Sequence, residues 1–402
     1  MAEPVASQMV RLGDVASFVR GVTFKPTDVE EPSESNLDCM RTKNVQAELD
    51  RRDVWSVPTS ILKRPNQLLK AGDILVSSAN SWNLVGKACW VPELKRPTTF
   101  GGFVSVLRPE KADARYLFRW FTSDKVQRTM RSFGNQTTNI SNLDLKRASN
   151  LLVPFPPLDE QRRIAAILDK ADGLRAKRRQ AIAHLDTLTQ SIFHSMFGDP
   201  MFAPNQRVLT ELLASIDSGS SPVSADRPAD GDEWGILKLS AVTSQTFIES
   251  ENKALLATDP DVRHEVRTGD VLFTRKNTPS LVAAVAIVRK TRRRLLLPDL
   301  IFRLNIADRR TLEPEYLHSV LSYPTKRASI QRLAGGAAAS MSNISKAKLL
   351  TVAIPVPPLE LQQTFATRVA AVERLKESHR KHLSELDALF ASLQHRAFKG
   401  EL

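Results

Sequence analysis

VPFPPLDEQ at Val153 to Gln161 and IPVPPLELQ at Ile354 to Gln362 are one motif written twice, 201 residues apart. In both, paired prolines (Pro156-Pro157 and Pro357-Pro358) stop a strand-like run, and acidic Asp159, Glu160 and Glu360 suit the first turn of a helix. Carried forward, the same offset matches Ile164 with Phe365, Ala171 with Val372, Leu174 with Leu375, Leu188 with Leu389 and Phe197 with Phe398. Ile164, Ile167, Ala171, Leu174, Arg178, Ala181, Leu185, Leu188 and Ile192 alternate spacings of three and four, the coiled-coil period. Gly198 and Pro200 close this helix.

Carried backward, the offset matches Ser141-Asn142-Leu143 with Ser342-Asn343-Ile344 and Gly134 with Gly335. Further upstream it becomes 197, matching Leu12 with Leu209, Val45 with Val242, Gly72-Asp73 with Gly269-Asp270 and Val104 with Ile301. An ordered series with one small length change makes the chain two copies of one unit. Each copy opens with strand-like runs, GDILVSS at Gly72 or GDVLFTR at Gly269, and one helix-like stretch, Ala114 to Phe133 or Glu315 to Leu333. The expected fold is α/β, mixed α+β. Globular domains occupy 1–157 and 199–358, and long coiled-coil helices occupy 158–198 and 359–402. A helix of about 37 residues is ~55 Å long, and the linker from Gly198 to about Arg207 is too short to return along it. The two helices are therefore expected to run antiparallel, with the copies related by a pseudo-twofold axis that matches the twofold symmetry of a DNA duplex.

The 402 residues suffice for two or three domains, with 42% hydrophobic and 25% charged residues as in ordinary globular proteins, which excludes wholesale disorder. The longest apolar run, Leu281 to Val288, falls far short of the ~20 residues needed to cross a bilayer. The start, MAEPVASQMVRLGD, lacks a basic segment followed by an apolar one, so a cytoplasmic chain is expected. Cys39 and Cys89 read as small core fillers. The net charge of +13 favours a polyanionic partner, and residues 1–201 (29 basic, 22 acidic) and 202–402 (28 and 22) share it almost equally.

These residues resemble the specificity subunit of type I restriction-modification systems. The likeness covers nearly the whole chain and rests on the two PxPPLxxQ hinges, the GDILVSS and GDVLFTRKNT segments, the Gly-rich stretch before each Ser-Asn pair and the terminal RAFKGEL. The second copy departs from the first, with Leu361 opposite Glu160 and GGAAAS at Gly335 to Ser340 in place of GNQTTN. The resemblance implies two target recognition domains, each reading half of a bipartite double-stranded DNA site. The helices would set the spacer and dock two methyltransferase subunits, through which nuclease-translocase subunits join. S-adenosylmethionine, ATP and magnesium are then expected in the partners, with no cofactor or metal in this chain.

Catalytic motifs are missing independently of that resemblance. Pro260-Asp261 and Pro298-Asp299 have no downstream (D/E)xK, and there is no NPP(Y/F), GxxxxGK(S/T), HExxH or GxSxG run. Phe100-Gly101-Gly102-Phe103 reads as a turn entering a strand, and His379 with His382 as a helical pair without a third metal ligand. Candidate DNA contacts fall in matched places. Ser78, Asn80, Ser81, Trp82 and Asn83 follow a strand in the first copy, and Arg275, Lys276, Asn277 and Thr278 follow one in the second. Asn can bond adenine and Arg guanine in paired fashion, which suits direct readout. Arg128, Arg131, Asn135, Gln136, Thr137, Thr138 and Asn139, with Arg332, Gly335, Ser340 and Ser342 as counterparts, suit phosphate contacts. Arg41, Lys43 and Asn44, with Lys238 opposite, complete the set. Two rivals stay open on sequence alone: a single-chain enzyme with diverged catalytic parts, and a two-ended scaffold that joins partners without reading DNA.

Overall fold

The computed structural model describes residues 8–137, 140–256, 260–335 and 341–402. The chain forms two compact units. The first takes Met1–Arg179 and Lys381–Leu402, the second Gln180–Arg380. Each long helix, Leu158–Phe197 and Leu359–Ala397, contributes one half to each unit.

In the first unit a four-stranded antiparallel sheet runs in the order Ala16–Arg20, Val104–Pro109, Ile74–Ser77, Ala88–Trp90. All four residues of the Ile74–Ser77 strand are buried because both sheet faces are covered. Ile74 and Val76 enter a core with Tyr116, Leu117, Phe121 and Ile164, while Leu75 points the other way among Val19, Cys89 and Phe100. The second unit repeats the order as Leu213–Ser218, Ile301–Ile306, Val271–Thr274, Val285–Ile287. There Val271 and Phe273 face Tyr316, Leu317 and Phe365, and Leu272 faces Val288 and Ile301. Gly72 and Gly269 precede the central strands at φ +91° and +93°, a left-handed turn that a side chain would strain.

The hinge motif now has a physical account. Tyr116 Oη donates to the Pro154 carbonyl at 2.7 Å, and Tyr316 Oη donates to the Pro355 carbonyl at 2.9 Å. Gln161 is buried at the start of the first long helix, where Nε2 donates to the Pro156 carbonyl at 2.8 Å and Oε1 accepts from the Asp113 amide at 2.9 Å. Gln362 repeats this, with Nε2 on the Pro357 carbonyl at 2.7 Å and Oε1 taking the Glu313 amide at 2.9 Å. In both copies the buried glutamine amide ties the proline turn and the start of the long helix to the residue just before the next helix of the same unit, Asp113 or Glu313.

Within each unit the two long helices run antiparallel. In the first, Arg175 meets Asp387. In the second, Lys376 meets Asp186 and Phe197 packs on Phe365. The heptad phase differs from the sequence expectation. Leu174 is 47% exposed and Leu188 40%, whereas Leu168, Arg175, Ile182 and Thr189 turn inward. The inward residues of the first helix, 161, 164, 168, 171, 175, 178, 182, 185, 189, 192 and 196, recur at 201 on the second, from Gln362 to Ala397. A stripe drawn through apolar residues alone missed this phase because the seam itself holds charged side chains.

Candidate nucleic-acid interface

The central strand of the first unit continues through Ser78 into Ala79–Asn80, which pairs with Ile140–Leu143, itself paired with Gly134–Thr137. The loop after the strand and the Gly-rich hairpin, distant in sequence, thus form one three-stranded ribbon. In the second unit Lys276–Asn277 pairs with Ser342–Asn343 in the same way. The anchoring bonds also correspond, with the Leu143 amide on the Ser78 carbonyl and the Ile344 amide on the Arg275 carbonyl, each at 2.8 Å.

Several candidate side chains shape these loops and do not face outward. Asn80 Nδ2 donates to Ser77 Oγ at 3.1 Å while its Oδ1 takes the Ser81 amide at 2.8 Å. Asn277 is buried, with Nδ2 on Thr243 Oγ1 and Oδ1 on the Thr278 amide. Asn44, also buried, holds the carbonyls of Asp50 and Asp53 and caps the Arg41 amide. The amides of Asn44 and Asn277 are satisfied inside the fold, where they shape the loops. Arg41 and Lys43 both pair with Asp53, and the Arg41 guanidinium lies 4.0 Å from the centre of the Trp55 ring.

Other candidates do present themselves. Ser81, Trp82 and Asn83 are exposed, Ser81 Oγ donating to Asn83 Oδ1 at 2.7 Å and Trp82 lying 54% open. Arg128 is exposed on the helix leading to the hairpin, and Arg131 is half-buried near its end. Asn135, Gln136 and Thr137 lie in the hairpin strand. In the second unit Thr278, Arg332 and Gly335 are exposed, while Lys276 and Ser342 are half-buried. Arg275 lies over the Phe302 ring at 5.1 Å and reaches Asn343 Oδ1 at 3.3 Å. Ser78 accepts from Ser105 Oγ at 3.1 Å, and Lys238 sits 3.5 Å from Glu251. Thr138, Asn139 and Ser340 lie outside the described residues.

Two surface features escaped sequence reasoning. Phe103 stands beside the first loop, its carbonyl accepting from the Ser78 and Ala79 amides, and its side chain is exposed. A bulky apolar residue directly after Gly101-Gly102 was the available signal. Leu174 and Leu389 are exposed in the first unit, and Leu188 and Leu375 in the second. Each precedes a seam residue by one position, so the two leucines of a unit share one flank of its helix pair. Among the described residues, no helix is long and apolar enough to cross a membrane.

One scaffold built twice, with two different loop chemistries, defines a duplicated two-unit protein. The family described as type I restriction modification DNA specificity domain matches residues 4–184. The EcoKI specificity subunit of Escherichia coli (strain K12) is 25% identical over 96% of this chain and 87% of its own length. The StySPI specificity subunit of Salmonella potsdam is 24% identical over the same shares. The fold is also that of the type I restriction-modification S subunit from M. genitalium, with a TM-score of 0.57 at 13% identity over 99% of this chain and 97% of that one. A further type I restriction-modification structure, from work on complex assembly and conformational transition, gives a TM-score of 0.56 at 19% identity over the full length of both chains. Along nearly its whole length the chain is similar to specificity subunits of type I restriction-modification systems.

Proposed function

We propose that each unit reads one half of a bipartite, asymmetric DNA site, and that the long helices set the spacer and dock two methyltransferase subunits. The observation that carries the first part is the repeated ribbon with unlike side chains: Ser81, Trp82 and Asn83 in one copy, Arg275, Lys276 and Thr278 in the other. Equal scaffolds with different donors and acceptors call for two different half-sequences. Basic Arg128, Arg131 and Arg332 around the ribbons suit phosphates, which fix position without selecting sequence. The second part rests on the leucine pairs, Leu174 with Leu389 and Leu188 with Leu375, one apolar flank per unit. Two such flanks suit two copies of one partner. S-adenosylmethionine, ATP and magnesium belong to the methyltransferase and nuclease-translocase partners on this reading.

The test is the methylation pattern left by the assembled complex. It should reveal one bipartite non-palindromic site with a modified base in each half, on opposite strands. A palindromic site, or two modified bases on one strand, contradicts the reading. The mass of the assembly should correspond to two methyltransferase subunits per chain, and a stable one-to-one complex at saturating partner opposes the docking assignment.

A further inference from the structure

The middle of the helix seam is held differently from its ends. In the second unit Phe193, Phe365 and Val369 are fully buried, and in the first Ile164, Leu168 and Ala397 are. Among the described residues, no apolar side chain of the first helix is fully buried between Ala171 and Phe193, nor of the second between Val372 and Ala397. Between them the inward apolar residues are only partly buried, and cations take some of the inward positions, Arg175 and Arg178 on the first helix and Lys376 on the second. Arg175 Nε donates to Asp387 Oδ1 at 2.6 Å, with Nη1 on Asp172 at 2.8 Å, and the side chain keeps 18% of its exposure. Lys376 Nζ lies 3.0 Å from Asp186 Oδ1 and 2.9 Å from Glu373 Oε1, and keeps 8%.

These two contacts are one contact repeated. Lys376 is the 201-offset match of Arg175, and Asp387 is the match of Asp186. Each cation of one repeat therefore meets the acid of the other repeat, once in each unit. A heptad seam can pair in alternative registers seven residues apart, and a polar group at a core position is the device that separates them. The sequence makes both neighbouring registers poor. Moving the second helix one heptad in one direction would set Arg175 against Arg380 and Lys376 against Arg179. Moving it the other way would set Arg175 against Gln394 and Lys376 against Phe193. The first opposes like charges twice, and the second removes the acid of the facing helix from both cations, leaving each only the acid of its own helix, Asp172 or Glu373.

We infer that Arg175–Asp387 and Lys376–Asp186 are the register keys of the long-helix pair, positioning residues that select which turns of the two helices face each other. Apolar packing at the helix ends supplies the affinity, and the keys supply the choice among heptads. The cations are largely buried and their acids, Asp387 and Asp186, are about half-exposed; putting apolar side chains in place of largely buried charges is often neutral or stabilising, so a register key and a simple stabiliser behave differently on substitution.

The test uses the full chain and needs no DNA, so its outcome is separate from that of the proposed function. Val372→Cys is combined in turn with Thr189→Cys, three residues on from Asp186 and so opposite the turn before Lys376 in the register that the Lys376–Asp186 contact sets, and with Ile182→Cys or Met196→Cys, which report slips of one heptad either way. The native thiols do not interfere: burial pushes Cys39 and Cys89 up to about 12. Oxidative cross-linking should favour the 189–372 pair by about tenfold or more, as expected when each slipped register either opposes like charges or loses both ion pairs between the helices. Arg175→Leu with Lys376→Leu should erase most of that excess while leaving the melting temperature level or higher. Exchanging one key, Asp186→Lys with Lys376→Asp, should keep the parent pattern. The inference is overturned if the leucine variant keeps the full excess, if it loses melting temperature without forming slipped cross-links, or if the exchanged variant loses the parent pattern.

Discussion

Gln161 and Gln362 show how one side chain can define a joint. Each closes a donor and an acceptor that would otherwise stay unpaired where the proline turn meets the helix. Gln161→Ala would leave the Asp113 amide and the Pro156 carbonyl without their partner, a loss of about 1–3 kcal/mol. Gln161→Glu would keep the shape but place an acceptor where Nε2 now donates, and should be no better. Denaturant unfolding of the two variants checks this, with a change below about 0.5 kcal/mol counting against a structural role for the amide. The cysteines make a second residue-scale prediction. Both are buried, and burial pushes their thiols up to about 12, far from the thiolate form that reacts. Alkylation at pH 8 should leave the native chain unmodified and label two sites once it is unfolded. Rapid labelling of the native chain would place at least one thiol at the surface.

At the scale of elements, each globule depends on a helix half contributed from far along the chain. The last residues, Phe390, Leu393, Phe398 and Leu402, pack on the core of the first unit, and the Phe398 ring meets Tyr116 edge-on at 5.6 Å. Phe398→Ala should therefore destabilise the unit that begins the chain, by about 2 kcal/mol from lost apolar burial. Phe365→Ala removes a fully buried ring from the aromatic cluster of Phe193, Phe197 and Tyr316 and should cost the second unit about 3–5 kcal/mol. Hydrogen exchange resolved along the chain tests both, since each substitution should lower protection mainly within its own unit. These elements were legible in the sequence because the proline hinges, the paired glycines and the three-four spacing are local signals. The helix phase was less so, because apolar pattern alone favours Leu174 and Leu188 over Arg175 and Thr189. Only the partner helix, with Asp387 opposite Arg175, shows why a cation belongs in the seam. The loops were located correctly in relation to the strands, yet whether Asn277 points out or in depends on Thr243, a residue 34 positions away.

At the scale of the whole molecule, the two halves carry nearly equal charge and repeat the ribbon, and on the proposed function the spacing between the two readings would be a property of the helices. A four-residue insertion after Ala181 in the first helix alone is a poor test of this. It separates Arg175 from Asp186 on one helix while Lys376 and Asp387 keep their separation on the other, so both ion pairs cannot be retained. A matched insertion of one heptad after Ala181 and one after its repeat equivalent His382 keeps the seam in phase and preserves both pairs. Seven residues add about 10 Å to each helix, close to three base pairs at ~3.4 Å per step. Sites methylated by the assembled variant should then carry the same two half-sequences with a spacer longer by about three base pairs. If the helices only dock partners, the variant should weaken assembly and leave the spacer as it was. Sequencing of methylated sites separates the two, and an active variant with an unchanged spacer would remove the helices from the setting of the distance.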